Sequence, residues 1–244
     1  MNKNIVYCLC SYLEKNNIIE HNLKPVVNDL KAWAESKGAD FKLITKIPDI
    51  IEDMFGSIIN FYTDKQIKKY KCIKKPDVEY DLRESLNTLK AWNTKFNIID
   101  NFYNSNYNKM MYFDCDVIVR RPQQFQFKDY NNIFFIRKIN EKETSQSPPR
   151  IIPEKYLNRK ITGRYAAGQF LLDKQFKIDI SKLFDSEKIY NLWKKNDYFL
   201  REETSMTYLI HKNNIDQDIT QIYFPLIHIG SNKKKETYIH SERS

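Results

Sequence analysis

The chain has 244 residues, a mass of 29.4 kDa and a formal net charge of +9. Its 41% hydrophobic and 14% aromatic content excludes a disordered chain and is enough for one large core. No apolar run approaches the roughly 18 residues that a bilayer-spanning helix needs, and only 5 glycines disfavour a glycine-rich phosphate loop.

Ile5 to Cys10 (IVYCLC) reads as a buried strand, with Ser11 and Tyr12 at its end. Leu23 to Ser36 carries Val27, Leu30, Trp33 and Ala34 at helical spacing, and Gly38 suits a helix end. Phe41 to Ile44 is a second strand. A strand, a helix and a strand in succession predict a parallel sheet. Pro48 to Pro76 is less regular and predicts a helix or two with a surface excursion. Asp81 to Phe102 reads as helical, from Leu82, Leu86, Leu89, Trp92, Phe96 and Ile99, with a break near Lys95.

Lys109 to Val119 is the next strand, ended by Arg120, Arg121 and Pro122. Ile133 to Ile136 and Ala166 to Leu172 follow as strands, separated by a polar loop over Asn140 to Arg164. Ser186 to Lys195 and Glu202 to Lys212 read as helices, and Ile222 to Ile229 as a last strand. No internal repeat or linker is evident, so one domain is expected.

Four cysteines, at positions 8, 10, 72 and 115, form no CxxC pair and no zinc-spaced cluster. Cys8 and Cys10 share a strand face, which suits packing, and reduced thiols are expected. The N-terminus is not a signal peptide, so the expected location is cytoplasmic. The Lys, Asn and Ile bias points to an AT-rich genome, such as that of a large DNA virus, a phage or a low-GC bacterium; for a virus the location would be the host cytoplasm. Basic residues cluster at Lys65 to Lys75 and at Lys233 to Lys235. Such runs suit a nucleic acid, an anionic substrate or a solvated surface.

The run Met110-Met111-Tyr112-Phe113-Asp114-Cys115-Asp116-Val117-Ile118-Val119 places two carboxylates in an apolar strand. A buried carboxylate is costly unless it is paired or bound to a metal. Alternate residues of an extended segment share a face, so Asp114 and Asp116 are expected to point the same way. The carboxyl end of a parallel strand opens into the crevice where α/β folds bind ligands. Mg²⁺ and Mn²⁺ favour such oxygen donors together with substrate phosphates.

At these residues the chain resembles the GT-A glycosyltransferases, particularly the glycogenin and lipopolysaccharide-galactosyltransferase group. Its YLDxD strand, preceded by a Y-[DN]-x-h turn, is matched by Tyr107-Asn108-Lys109-Met110 and MMYFDCDVIV. Gly163 to Asp173 (GRYAAGQFLLD) is similar to FNAGxhhhD. Phe199 to Leu209 (FLREETSMTYL) resembles an acidic segment opening a helix, and Leu226 to Lys233 (LIHIGSNK) resembles HxxGxxK.

The resemblance implies a single GT-A domain, a Rossmann-like nucleotide-diphospho-sugar transferase with a mostly parallel central sheet flanked by helices. Residues 1–120 would form the nucleotide-binding half and residues 121–244 the acceptor-binding half. Asp114 would contact the ribose and approach the metal, Asp116 would ligate it, and His228 would be the third protein ligand. Lys233 would contact the diphosphate, and Ser11 and Tyr12 the base. Ala167 and Gly168 would line the donor sugar, with Glu202 or Glu203 facing sugar and acceptor. The cofactor would be Mn²⁺ or Mg²⁺. The donor would be a nucleotide sugar, UDP-linked in the resembling group, the acceptor a glycan or a protein, and the anomeric configuration would be retained.

The chain departs from the pattern at Ala166, which replaces an asparagine. It departs again at Glu202 and Glu203, which replace Asp-Gln, and at His228-Ile229-Gly230, which is one residue shorter.

Each residue also has a plainer use. His228 fits a core histidine, Glu202 and Glu203 fit a helix first turn, Arg120 and Arg121 fit a covered strand end, and Trp33 and Trp92 fit the core. Two other functions use the same features. A haloacid-dehalogenase-like phosphatase also opens its site with hhhhDxDxh, but near the N-terminus. A basic nucleic-acid-binding protein would account for the charge, but no recognition-helix, zinc or RNP pattern accompanies it.

Overall fold

The computed structural model describes residues 3–10, 17–59, 70–72, 75–80, 82–115, 117–119, 125–138, 165–181, 202–213 and 226–228. Strand β1 (Asn4–Leu9) leads through helix α1 (Asn17–Ser36) to the parallel strand β2 (Ala39–Ile44), as the pattern of apolar residues predicts. Helix α1 starts six residues earlier than expected from the sequence and holds Pro25 inside it, at the cost of one backbone hydrogen bond.

The helix end is set by Gly38, whose φ is +66°. An added Cβ there would meet nothing within 4 Å. Gly38→Ala therefore tests the left-handed backbone alone, and a loss of about 1 kcal/mol is expected in urea unfolding.

Helix α2 (Asp49–Ile59) is followed by a hairpin of β3 (Tyr70–Cys72) and β4 (Lys75–Tyr80). The helix was expected and the hairpin was not. Its six-residue arm includes Pro76 and three charged residues, which mask a strand pattern. Helix α3 (Leu82–Tyr103) then runs without the expected break at Lys95. Lys90 of α3 forms an ion pair with Glu52 of α2.

Strand β5 (Lys109–Asp114) returns beside β1 in parallel. A turn at Cys115 ends it, and β6 (Val117–Val119) resumes in another sheet. The expected continuous strand over residues 109 to 119 is therefore two strands. Strands β7 (Phe134–Lys138) and β8 (Tyr165–Asp173), helix α4 (Glu202–Lys212) and β9 (Leu226–His228) complete the described elements. The Asn140 to Arg164 loop and the Ser186 to Lys195 helix lie outside the described residues.

The main sheet has the order β2-β1-β5-β8-β7. β1, β2 and β5 are parallel; β8 is antiparallel to both β5 and β7, so only β8 runs against the rest. This is the α/β class and mostly parallel sheet expected from the sequence. Alternation along the strands sorts the core into two layers. Ile5, Tyr7, Leu9, Met110, Tyr112, Phe170 and Leu172 pack with Phe96, Ile99 and Phe102 of α3 and Met206, Leu209 and Ile210 of α4. Val6, Cys8, Cys10, Met111, Phe113 and Leu171 pack on the other face with Val27, Leu30, Trp33 and Ala34 of α1. Cys8, Cys10 and Cys115 are buried, and none of the three is in a disulfide.

At the amino end of β5 a charged lock closes the sheet. The Lys109 ammonium lies 3.8 Å from Asp173 Oδ2 and donates to Asn131 Oδ1 at 2.8 Å. The Asp173 carboxylate accepts the Asn132 N–H at 3.1 Å and the Gln175 N–H at 2.8 Å. Both Lys109 and Asp173 are buried, so these partners offset a desolvation cost that would otherwise be several kcal/mol.

Candidate active site

The carboxyl ends of β1 and β5 stop at Leu9 and Asp114, which are register partners. Because β8 runs the other way, its first residues reach the same edge. The β5–β8 ladder runs to Phe113 opposite Gln169, and the Lys95 ammonium ties Asp114 Oδ1 to the Ala167 carbonyl, with Gly168 between Ala167 and Gln169 in the chain. Three of the expected residues, Asp114, Ala167 and Gly168, thus meet at one edge.

The Asp114 side chain keeps 24% of its surface exposed. Its Oδ1 accepts the Tyr112 hydroxyl at 2.6 Å and the Lys95 ammonium at 3.4 Å. Lys95 is completely buried and also donates to the Ala167 carbonyl at 3.1 Å. The same ammonium sits 5.3 Å from the centre of the Tyr112 ring, within the range of a cation–π contact. One cation therefore joins α3, β5 and β8 below the open carboxylate. The phenol of Tyr112 is raised well above its ordinary range, first by burial and then by the charge and hydrogen bond of Asp114. It stays a donor.

Neither Lys95 nor Tyr112 stood among the residues expected from the sequence, although both left a signal. Phe96, Ile99 and Phe102 define the buried stripe of α3, and Lys95 is buried beside them. Tyr112 precedes Asp114 by two residues on a strand, so the two side chains share a face.

The second, short sheet bears on the histidine. β6 and β9 pair antiparallel, and Val117 is the register partner of His228. The ladder sets the backbone of His228 across from the residue that follows Asp116. Among the expected site residues, Glu202 and Glu203 open α4, as expected. Ser11, Tyr12, Asp116 and Lys233 lie outside the described residues. The chain turns at Cys115, and the expectation that Asp114 and Asp116 share one face falls on Asp116, outside the described residues.

A separate cavity, bounded by Glu35, Asp40, Lys42 and Tyr107, lies along β2 at the amino end of the sheet. There the Tyr107 hydroxyl donates to Asp40 Oδ2 at 2.7 Å, a bond that pushes the phenol up to about 12. This cavity is at the opposite end of the strands from Asp114.

No family model matches the sequence, and no curated protein matches it. The solved structures similar to the chain include two of glycosyltransferases. One is a glycosyltransferase involved in the glycosylation of the major capsid of PBCV-1, with 10% identity and a TM-score of 0.45 over 100% of both chains. The other is mouse xyloside xylosyltransferase 1 in its apo form, with 7% identity and a TM-score of 0.42 over 91% of this chain and 85% of that one.

No helix among the described residues is long and apolar enough to cross a membrane.

Proposed function

We propose that the chain is a single-domain, metal-dependent glycosyltransferase of GT-A type, moving a sugar from a nucleotide-sugar donor, UDP-linked for preference, to a glycan or protein acceptor. The observation that carries this assignment is the ending of β5 at Asp114, on the ligand-binding edge of a mostly parallel sheet. Two further features support it. The β6–β9 register brings the His228 backbone beside the position after Asp116, and the small residues Ala167 and Gly168 border Asp114. Carboxylates with one imidazole form a donor set that suits Mn²⁺ or Mg²⁺.

Asp114, Asp116 and His228 would hold the ion, which would neutralise charge on the departing diphosphate. Ser11 and Tyr12 would receive the base and Lys233 the diphosphate. A small residue at position 168 leaves room for the donor sugar. Glu202 or Glu203 would orient the sugar and acceptor. With retention of configuration, the acceptor oxygen bonds to the anomeric carbon as the bond to the diphosphate breaks. The acceptor proton passes to the departing phosphate oxygen, so no side chain need act as base. Electrostatic stabilisation of the leaving group then dominates.

The assignment is tested by thermal shift with a panel of nucleoside diphosphates and nucleotide sugars, with and without Mn²⁺. At least one nucleotide should raise the melting temperature only when Mn²⁺ is present. Indifference to every nucleotide in the panel would remove the proposal.

A further inference from the structure

Tyr112 invites a question of chemistry. It is completely buried in a layer where Phe134 and Phe170 do the same packing without an oxygen. Its ring stacks on Phe170 with centroids 4.9 Å apart and planes 15° from parallel. A phenylalanine would make that contact equally well, and burying a hydroxyl has a cost that only a hydrogen bond offsets. The hydroxyl spends its proton on Asp114 Oδ1 at 2.6 Å, a short charge-assisted bond.

The donor and acceptor are two residues apart on one strand, so the bond is held by the pleat itself. The Lys95 ammonium approaches the same oxygen from α3 at 3.4 Å. Two donors from different elements thus converge on one carboxylate oxygen and fix the rotation of the group.

We propose that Tyr112 is a positioning residue for the metal site: its hydroxyl holds the Asp114 carboxylate in the orientation that receives the cation and the nucleotide. This deepens the glycosyltransferase proposal and rests on it. Tyr112 touches neither ligand and acts through Asp114. Groups that orient metal-binding side chains typically contribute 10- to 100-fold in metal affinity or activity, because the donor must be held to within about 0.5 Å.

The test is a Mn²⁺ titration of the full chain at saturating UDP, read by thermal shift, for wild type, Tyr112→Phe and Phe170→Leu. Phe170→Leu disturbs the stacking but not the bond to Asp114. Tyr112→Phe should need about tenfold more Mn²⁺ to reach its midpoint, while its melting temperature without ligand moves by only a few degrees. Phe170→Leu should lower the unliganded melting temperature and leave the Mn²⁺ midpoint in place. A wild-type midpoint in Tyr112→Phe overturns the proposal. So does an equal shift in Phe170→Leu, since packing alone would then account for it. A wild type that ignores Mn²⁺ with every nucleotide tried overturns the functional assignment instead, and this inference goes with it.

Discussion

Asp114→Ala should abolish Mn²⁺-dependent stabilisation by UDP and should also lower the melting temperature of the protein without ligand. The first effect follows from the loss of a carboxylate at the proposed metal site. The second follows from Lys95, whose ammonium is completely buried and would keep the Ala167 carbonyl but lose the Asp114 charge. Stranding a buried charge costs about 3–5 kcal/mol. Asp114 is itself partly exposed, so screening places the expected loss at the low end, about 3 kcal/mol. For a chain of this size that is a fall of roughly 6–12 °C.

The two effects separate in the double variant. Adding Lys95→Met to Asp114→Ala removes the stranded charge and should restore most of the stability without restoring the response to Mn²⁺. Stability losses that simply add, with no coupling between the two sites, would show that the ion pair is not what Asp114 contributes to the fold.

Asp173→Ala should destabilise the protein more than Asp114→Ala, yet leave nucleotide and metal binding intact. Asp173 is buried and gathers two backbone N–H groups and the buried Lys109 ammonium. Its removal leaves Lys109 with Asn131 Oδ1 and deprives the Asn132 and Gln175 N–H groups of their acceptor. Asn132 has a φ of 49°, an uncommon conformation for a residue with a side chain, and its bond to Asp173 helps to hold it there. The expected cost is about 5 kcal/mol, the upper end for a broken buried pair. The check is urea denaturation, followed by the same Mn²⁺ and UDP titration below the new melting temperature. A wild-type midpoint in urea would mean that the lock contributes nothing net. A lost ligand response would tie the amino end of β5 to the site at its carboxyl end.

The features legible in the sequence are those written in local periodicity. The β1-α1-β2 opening follows from one apolar strand, one apolar stripe and one glycine, and α4 has the expected bounds of Glu202 and Lys212. The β3–β4 hairpin was illegible because its charged residues and Pro76 hide the alternation. The apolar run from Met110 to Val119 looks continuous because the turn at Cys115 interrupts no pattern of hydrophobicity. Asp114 stood out in the sequence by its apolar context, and Ala167 and Gly168 entered only through the resemblance of GRYAAGQFLLD to FNAGxhhhD. Lys95 did not stand out, since its meaning depends on a carbonyl 72 positions away. In local terms a lysine on an apolar stripe only interrupts the pattern, and the tertiary partners turn it into a buried counter-ion.

The reach of Lys95 also bears on the order of folding. A chain that has collapsed only through β5 already contains Lys95, Tyr112 and Asp114, but the Ala167 carbonyl that completes the ammonium's hydrogen bonding has yet to arrive. Closing that longer loop carries an entropic cost that grows only slowly with length, yet such nonlocal pairings slow folding. The buried cation is therefore fully satisfied only once β8 has slotted between β5 and β7. Formation of the Asp114 site and completion of the sheet thus belong to one cooperative event, so an intermediate ending at β5 should hold the aspartate without its settled geometry.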